Sequence, residues 1–367
     1  MKITIAGSGA MGCRFGGALY SAGHEVVLLD GWPEHVAAIN TGGLRISDET
    51  GSRTVRVPAA LFPAAVDPAD LVIVFTKATA TASVAAAAAG AIGPSTLVLT
   101  LQNGLGNIEV LRSYVPRARL LAGTTTLGTE LLGPGHIRAL GSGETVLGAL
   151  GPGPSDHAER TVRALSAAGL PARVTDDALG VIWAKVAFNC VMNSLCSIAS
   201  IPVSALAAYD GFDALASSIL REVAAVAAGE GVVVDIAAAL RLMNAQFDPA
   251  ASGGHLASML QDLVNGRPTE IAQLNGAIAA RAAAHGIEAP LNAFITRLVG
   301  LLEATWPRRV TRLSVRRSWA RGSRQRRFRR RGRRAGTWRR PCGGRRSSGR
   351  RAGRRAVPRE PKSRDGR

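Results

Sequence analysis

A glycine-rich segment near the start of the chain constrains the fold more than any other feature. The segment Gly7 to Gly12 follows the apolar run Lys2 to Ala6 and opens a stretch of helical periodicity. In GxGxxG, the first glycine permits a tight turn, the second lets the backbone approach a pyrophosphate, and the third lets a helix pack closely on a strand. The segment therefore predicts a dinucleotide-binding loop; a turn without a ligand is the alternative. The predicted cofactor contacts are Gly7, Ser8, Gly9, Ala10, Met11 and Gly12.

An acidic residue ends the second predicted strand, Glu25 to Asp30. A carboxylate at this place can accept hydrogen bonds from an adenosine ribose and repel a 2′-phosphate. Asp30 therefore predicts a cofactor contact that favours NAD(H). A solvated turn residue before Gly31 is the alternative, because aspartate is common in turns.

The first half of the chain alternates short apolar runs with helical stretches, which predicts an α/β fold with a Rossmann-type, doubly wound sheet over residues 1–175. Residues Gly135 to Leu150 are predicted to form an antiparallel pair at the sheet edge. The predicted strands are Lys2 to Ala6, Glu25 to Asp30, Asp70 to Thr76, Thr96 to Leu101, Leu120 to Thr124 and Ala172 to Thr175. The predicted helices run from the glycine loop to Ala22, and over Ala80 to Ala89, Gly106 to Tyr114 and Asp156 to Ala168.

After about Asp176 the pattern changes to long helical periodicity with almost no strand signal. This change predicts an all-α C-terminal domain over residues 176–306. The predicted helices are Ala178 to Ile198, Asp213 to Gly229, Asp235 to Phe247, Gly254 to Val264 and Thr269 to His285, with a last one ending near Glu303.

The formal net charge of +19 comes from the C-terminal end of the chain. Residues 307–367 hold 25 Arg, one Lys and two acidic residues, a net charge of +24, which leaves −5 for residues 1–306. Such a low-complexity segment buries too little apolar surface to offset its ordering entropy, so we predict a disordered basic tail. Its abrupt start favours a frameshifted or read-through end over a functional arm that binds nucleic acid.

The four cysteines indicate neither a disulfide framework nor a metal site. Cys13, Cys190, Cys196 and Cys342 form no CxxC pair and have no histidine at metal-ligand spacing. Glycines and Arg14 interrupt any signal-peptide core at the N-terminus. We therefore expect a cytoplasmic protein without metal or membrane partners, and the sequence leaves a homodimer open.

Two polar residues follow predicted strands at the edge of the sheet where ligands of open α/β sheets bind. Lys77 comes after the strand LVIVFT, and Asn103 comes after TLVLTLQ. Lys77 could contact the ribose or phosphate of a cofactor, and Asn103 could contact nicotinamide or substrate. A plain Asn-Gly turn explains Asn103 equally well.

The segment WAKVAFNCVMN carries Lys185, Asn189 and Asn193 at intervals of four residues. This spacing places an amine and two amides on one face of an otherwise apolar helix. Buried polar groups need partners, and a ligand can be that partner. An ammonium there could stabilise the negative charge that develops on a ketone oxygen during hydride transfer and then donate a proton. A solvated stripe on a surface helix is the alternative.

A second polar cluster lies at Ser258 and Asp262, which share one helix face, with Glu270 following a Gly-Arg-Pro turn. Asp262 could pair with Arg267, and Glu270 could simply begin a helix, where acidic residues suit the helix dipole. The spacing alone leaves these alternatives open.

Taken together, these segments resemble the ketopantoate reductase (2-dehydropantoate 2-reductase) family. The resemblance covers about 300 residues in the right order. Its specific features are the Lys-x3-Asn-x3-Asn and Ser-x3-Asp-x7-Glu spacings. The matching segments are KITIAGSGAMG, TKA, QNGLG, WAKVAFNCVMNSLCSI, SMLQDLVNGRPTEIAQLNG and AAAHGIEAP.

The resemblance implies roles for these residues. It makes Lys185 the catalytic acid and Glu270 the active-site carboxylate, brought together by domain closure. Substrate-binding residues would be Asn103, Asn189, Asn193 and Ser258, with the glycine loop, Asp30, Lys77 and Asn103 on the cofactor side.

The implied reaction is NAD(P)H-dependent reduction of 2-dehydropantoate to pantoate, toward pantothenate and coenzyme A. The family implies NADP(H), but Asp30-Gly31 stands where well-studied members carry an arginine for the 2′-phosphate, so NAD(H) could be preferred. The alternatives are a related reductase of another 2-oxo acid and, from a different class, nucleic-acid binding through the arginine-rich tail.

Overall fold

The computed structural model describes residues 1–152, 156–248 and 256–309. One compact unit spans Met1–Arg308. The predicted disordered tail lies outside the described residues from residue 310 onward. Cys342 lies there as well, and the other three cysteines are buried and unpaired with one another.

An eight-stranded, mostly parallel sheet forms the centre of the N-terminal half, in the order β12-β11-β8-β7-β6-β1-β2-β5. The pairing of β11 with β8 is antiparallel, and the other pairings are parallel. Its strands are β1 (Lys2–Ala6), β2 (Glu25–Asp30), β5 (Ala59–Leu61), β6 (Leu71–Val74), β7 (Leu97–Thr100), β8 (Leu120–Thr125), β11 (Thr145–Ala149) and β12 (Ala172–Val174). The predicted Rossmann-type sheet is confirmed.

The central strands are buried on both faces, as expected of parallel strands covered by helices. In β6, Leu71 and Ile73 point to a core that includes Phe15, while Val72 and Val74 point to a second core on the other face. This alternation follows from the two-residue period of a strand. The core that contains Val72 and Val74 also contains residues of the C-terminal helices, so the sheet and those helices share it.

The helices of this half join the strands as crossovers or flank the sheet. The first begins directly after the glycine loop, and the fifth precedes β12. They are α1 (Ala10–Ser21), α2 (Pro33–Gly42), α3 (Thr81–Ala87), α4 (Asn107–Leu111) and α5 (Asp156–Ala167).

A separate four-stranded sheet was not anticipated, and it corrects one prediction. Its order is β4-β3-β10-β9, with strands β3 (Leu44–Asp48), β4 (Gly51–Val55), β9 (Gly128–Gly133) and β10 (His136–Leu140). The predicted pairing within Gly135 to Leu150 is wrong, because β10 pairs with β9 and β3, whereas β11 pairs with β8. Gly135, with a φ of 67°, completes the tight turn that returns β9 onto β10.

The described part of the C-terminal half is helical, as predicted. Its helices are α6 (Ala178–Ala199), α7 (Phe212–Gly229), α8 (Ile236–Ala245), α9 (Ser258–Val264), α10 (Asn275–His285) and α11 (Pro290–Thr305). The predicted helix from Thr269 begins later, because a short 3-10 turn at Ile271–Gln273 precedes α10. Glu270 therefore lies in an irregular segment rather than in a helix.

The long helix α6 is the central element of the helical half. Asp177 caps its N-terminus, because the Asp177 carboxylate accepts a hydrogen bond from Gly180 N at 2.8 Å. It is long and apolar enough to cross a membrane, but 67% of its apolar window is buried inside the protein, as in the core helix of a globular protein. Asn275 joins it to the later helices by donating to Cys190 O at 3.0 Å and to Asn292 Oδ1 at 2.9 Å.

The predicted boundary near Asp176 falls between β12 and α6. The apolar core runs across this point without a break, since Val72 and Val98 of the sheet share a cluster with Val186 and Met192 of α6. The division into residues 1–175 and 176–306 stays a prediction.

Candidate active site

The glycine loop between β1 and α1 has the geometry of a phosphate cradle. Gly7 adopts a φ of +97°, which side chains rarely tolerate, and a Cβ on Gly12 would lie 2.0 Å from Gly7 O. A Cβ on Gly9, in contrast, would meet nothing within 4 Å. Two glycines are thus required by the protein itself, whereas the space beside Gly9 is open to a ligand at the N-terminus of a twelve-residue helix. The loop fits a dinucleotide.

Asp30 ties this loop to the end of β2. Its Oδ2 accepts hydrogen bonds from Ser8 N at 2.8 Å and Ser8 Oγ at 3.2 Å, and its Oδ1 accepts one from Trp32 N at 3.0 Å. A carboxylate offers about four acceptor positions, so one remains for a ribose hydroxyl. The residue is half-buried at the predicted cofactor edge.

Lys185 lies on α6 with its amine turned toward the sheet. Its Nζ donates a hydrogen bond to the Thr125 carbonyl oxygen, at the end of β8, at 2.6 Å. Burial lowers the pKa of Lys185 to about 8, and the negative charge of Glu270 opposes this shift. An amine with such a pKa is charged at neutral pH yet gives up its proton readily, which suits a general acid.

The two asparagines on the same helix are buried, with exposures of 7% for Asn189 and 8% for Asn193. Asn193 Nδ2 lies 3.4 Å from Ser258 Oγ, a long hydrogen bond that joins α6 to α9. The alternative of a solvated polar stripe is therefore wrong for both amides.

A cluster of charges spans the gap between the sheet edge and the helical half. Lys77 Nζ donates to Asp262 Oδ2 at 2.6 Å and lies 3.8 Å from Glu270 Oε2. The other carboxylate oxygen of Asp262 lies 3.2 Å from Arg267 Nε, so the suspected Asp262–Arg267 pair is present. The side chain of Asp262 is only 4% exposed, and its two cations compensate the buried charge.

Glu270 completes this cluster from the irregular segment before α10. It accepts a hydrogen bond from Ala78 N at 3.3 Å, and Asn103 Nδ2 lies 3.4 Å from its Oε2. The structure thus brings Lys77, Asn103, Asp262 and Glu270 together. Lys185 makes its hydrogen bond with Thr125 instead, although the charge of Glu270 reaches it.

Two features of the site were missed from the sequence. The carbonyl of Thr125 holds the Lys185 amine, and Lys77 pairs with Asp262 across 185 residues of chain. The polar Thr124-Thr125 pair at the end of a predicted strand was a signal for the first, because it lies at the ligand-binding edge. A contact like the second has no local sequence signal.

The turn at Asn103 brings the sheet edge against the helical half. Gly104 has a φ of +84°, and Leu105 N donates to Gln273 O at 2.9 Å. A Cβ on Gly104 would lie 2.6 Å from that same carbonyl oxygen. The Asn-Gly turn interpretation is therefore correct for the backbone, and the turn also places the Asn103 amide beside Glu270.

Within the described ranges, no group of three or more His, Cys, Asp and Glu side chains could hold a metal ion.

A glycine cradle on a doubly wound sheet, packed against a helical half that carries a part-buried lysine, is typical of Rossmann-type oxidoreductases. The family model described as ketopantoate reductase PanE/ApbA matches residues 3–152, and the model of its C-terminal part matches residues 177–303. The chain belongs to the ketopantoate reductase family.

The chain matches known proteins over nearly the whole of their length. The 2-dehydropantoate 2-reductase of Lactococcus lactis is 36% identical over 302 residues, 82% of this chain and 97% of that protein. A ketopantoate reductase structure from Ralstonia eutropha is 38% identical with a TM-score of 0.74, covering 83% of this chain and 99% of that one. D-mandelate dehydrogenase in a ternary structure with NADH and anilino(oxo)acetate is 36% identical with a TM-score of 0.81, covering the same shares.

The close approach at Gly104 predicts a stability difference between two neighbouring glycines. Gly104 and Gly106 both have positive φ, at +84° and +100°, but a Cβ on Gly106 would meet nothing within 4 Å. Gly104→Ala should therefore lower the free energy of unfolding by about 2 kcal/mol more than Gly106→Ala, as overpacking against backbone does. Urea unfolding of both variants measures the difference. Equal losses would show that the contact with Gln273 is not tight.

Proposed function

We propose that the protein reduces 2-dehydropantoate to pantoate with hydride from NAD(P)H, a step toward pantothenate and coenzyme A. The Lys185 amine is the observation that carries this proposal. Burial lowers the pKa of Lys185 to about 8, and the same helix face carries two buried amides. The relatives named 2-dehydropantoate 2-reductase support the choice of substrate. We also propose that residues 1–175 bind the cofactor and residues 176–306 the substrate, in the cytoplasm.

The proton chemistry follows from the charge that the reaction creates. A nicotinamide bound along the glycine loop would supply a hydride to the ketone carbon. As the new C–H bond forms, the carbonyl electron pair moves onto oxygen. The Lys185 ammonium stabilises that negative charge and transfers its proton to the oxygen, which leaves a hydroxyl and a neutral amine. Thr125 O holds the amine in place, because it accepts one of the three ammonium protons and leaves two for the substrate.

Glu270 and the amides would hold the polar groups of the substrate. The Glu270 carboxylate receives long hydrogen bonds, at 3.3 Å from Ala78 N and 3.4 Å from Asn103 Nδ2, so a substrate hydroxyl can replace them without loss of a strong bond. Asn103, Asn189, Asn193 and Ser258 are the proposed partners of the remaining substrate oxygens. Gly7 to Gly12, Asp30, Lys77 and Asn103 are the proposed cofactor contacts.

A second candidate function is reduction of another 2-oxo acid with NADH. Two observations favour it: Asp30 lies at the edge where a 2′-phosphate would bind, and the similar D-mandelate dehydrogenase structure contains NADH and anilino(oxo)acetate. An assay of the purified chain with 2-dehydropantoate, phenylglyoxylate and branched 2-oxo acids separates the two. Activity with another 2-oxo acid and none with 2-dehydropantoate would select the second candidate.

Removing the amine of Lys185 tests its role as the acid. Lys185→Ala should lower kcat for reduction by roughly 100-fold or more, which is the usual loss when a general acid is removed. Steady-state turnover at saturating cofactor measures the effect. The neighbouring exposed position Leu179 on the same helix offers the control, since Leu179→Ala should leave kcat nearly unchanged. Near-normal turnover of Lys185→Ala would remove this residue from the mechanism.

The pKa of Lys185 predicts opposite pH profiles for the two directions of the reaction. Because the folded protein lowers this pKa from 10.5 to about 8, the protonated acid is lost as the pH rises through about 8. The kcat/KM for reduction should therefore fall about tenfold per pH unit above that value, while oxidation of the hydroxy acid should rise as the neutral amine becomes the base. Profiles between about pH 6 and about pH 10 measure both. Parallel profiles in the two directions would contradict the assignment.

The carboxylate of Asp30 predicts a cofactor preference. Asp30→Ala should raise the ratio of kcat/KM for NADPH to that for NADH by about tenfold or more, because each 1.4 kcal/mol of relieved repulsion is a factor of ten. Both absolute values can also fall, since Asp30 holds Ser8 of the loop. Ser8→Ala is the control, because it removes the Oγ contact and leaves the charge. An unchanged ratio in Asp30→Ala would reduce Asp30 to a turn residue.

A further inference from the structure

A half-buried carboxylate at the end of α11 has no role in the site as described so far. Glu303 lies in the last turn of this helix, where the negative end of the helix dipole disfavours an acidic residue. None of the ion pairs within the described residues includes it. Its Oε1 instead accepts a hydrogen bond from Thr269 N at 2.7 Å, 34 residues earlier in the chain. The carboxylate therefore serves to hold a backbone amide.

Apolar packing fixes the end of α11 that carries this carboxylate. Trp306, which follows the helix directly, is 8% exposed and packs with Leu260 and Leu263 of α9. The same helix α9 carries Asp262 of the charged cluster. Glu303 is therefore held in a defined position beside an element that borders the site.

The backbone just before Glu270 is held across the fold by this contact. Pro268 has no N–H to donate, so the first amide of the segment after it is Thr269 N, which Glu303 binds. Ile271 N donates only locally, to Thr269 Oγ1 at 3.2 Å. The carboxylate of Glu270 receives the two long hydrogen bonds described above. Because neighbouring Cα atoms lie about 3.8 Å apart, a shift at Thr269 moves Glu270 with it.

We propose that Glu303 is a positioning residue, which fixes the Glu270 carboxylate in the cleft by holding the Thr269 amide. It acts through the backbone and not on the substrate. The inference rests on the proposed function only in its consequence for substrate binding, where Glu270 engages a hydroxyl. The place of the carboxylate itself does not depend on what the chain reduces.

The charge of Glu270 offers a readout of its position that needs no substrate. Burial lowers the pKa of Lys185 to about 8, and the charge of Glu270 opposes that shift. The other charged groups beside Glu270 are Lys77, at 3.8 Å, and the Asp262–Arg267 pair, and none of these contacts involves a residue of α11. If the carboxylate moves away, the pKa of Lys185 falls further, because a negative charge that favours the ammonium is lost.

The test is titration of the Lys185 amine by NMR in the full chain with isotope-labelled lysine. The chain has four lysines, Lys2, Lys77, Lys185 and Lys362, and the signal of Lys185 is the one that Lys185→Ala removes. Glu303→Ala should lower the pKa of Lys185 below about 8, in the same direction as Glu270→Gln. Glu303→Gln keeps an acceptor oxygen and should leave this pKa unchanged. In the Glu270→Gln background, Glu303→Ala should add no further shift, because the group it positions has already lost its charge.

Glu222 provides the matched control. It also accepts hydrogen bonds from backbone amides, from Leu291 N and Asn292 N at 2.9 Å, but at the opposite end of α11. Glu222→Ala should therefore leave the pKa of Lys185 unchanged. With 2-dehydropantoate as substrate, Glu303→Ala should raise KM roughly tenfold or more, because a small misplacement of a binding group is costly. Glu222→Ala should leave this KM nearly unchanged.

The remaining outcomes separate the inference from its alternatives. An unchanged or raised pKa of Lys185 in Glu303→Ala would overturn it, as would an unchanged pKa in Glu270→Gln. An equal fall in Glu222→Ala would overturn it by showing general loosening of the helices. An equal fall in Glu303→Gln, or a further fall in the double variant, would overturn it by showing that the charge of Glu303 acts directly.

Two further results keep the inference testable. If Glu303→Ala does not fold, Glu303→Asp takes its place, because a carboxylate one methylene shorter keeps the charge and loses reach to the amide. It should lower the pKa of Lys185 in the same way. A pKa that falls in Glu303→Ala and not in Glu222→Ala, in a chain that reduces no 2-oxo acid, would reject the proposed function alone.

Discussion

The site depends on one part-buried interaction, the hydrogen bond from the Lys185 ammonium to the Thr125 carbonyl oxygen at 2.6 Å. A charged amine on an apolar helix is unfavourable unless it finds a polar partner. The last residue of β8 provides that partner through its backbone carbonyl oxygen. The same contact lets α6 pack on the sheet with its charge directed to the ligand-binding edge rather than to solvent.

Asp262 and Glu270 are paired unequally with the cations beside them. Lys77 takes the short contact with Asp262, and Glu270 lies farther away, at 3.8 Å from Lys77. Asp262 is held by Lys77 and Arg267 on its two oxygens, so it has little capacity left for a ligand. Glu270 has only long contacts, which makes it the carboxylate that a substrate hydroxyl can engage. Burial and pairing thus give Asp262 a structural role and leave Glu270 available to a ligand.

Local sequence was sufficient to predict residues whose placement is fixed by one turn or by one helix. The glycines of the loop and the Lys185, Asn189 and Asn193 spacing could be predicted, because turn conformation and helix period fix their placement within a few residues. The small sheet could not, since β10 pairs with β3, a strand about ninety residues earlier, and that register is set by tertiary packing. Glu270 was identified as a site residue by family resemblance, but its irregular backbone was not, because Thr269 and Glu270 suit the start of a helix.

The two regions of the candidate site differ in how far local sequence could predict them. On α6, buried polar groups interrupt an otherwise apolar helix, so the pattern itself indicates chemistry. Beside the glycine loop, Asp30 was predicted from its place at the end of a strand, but its contacts were not. Its carboxylate accepts hydrogen bonds from Ser8, 22 residues earlier in the chain, and its backbone pairs with Leu61 of β5. These contacts exist only after the sheet has brought β1, β2 and β5 side by side, so no local pattern could indicate them.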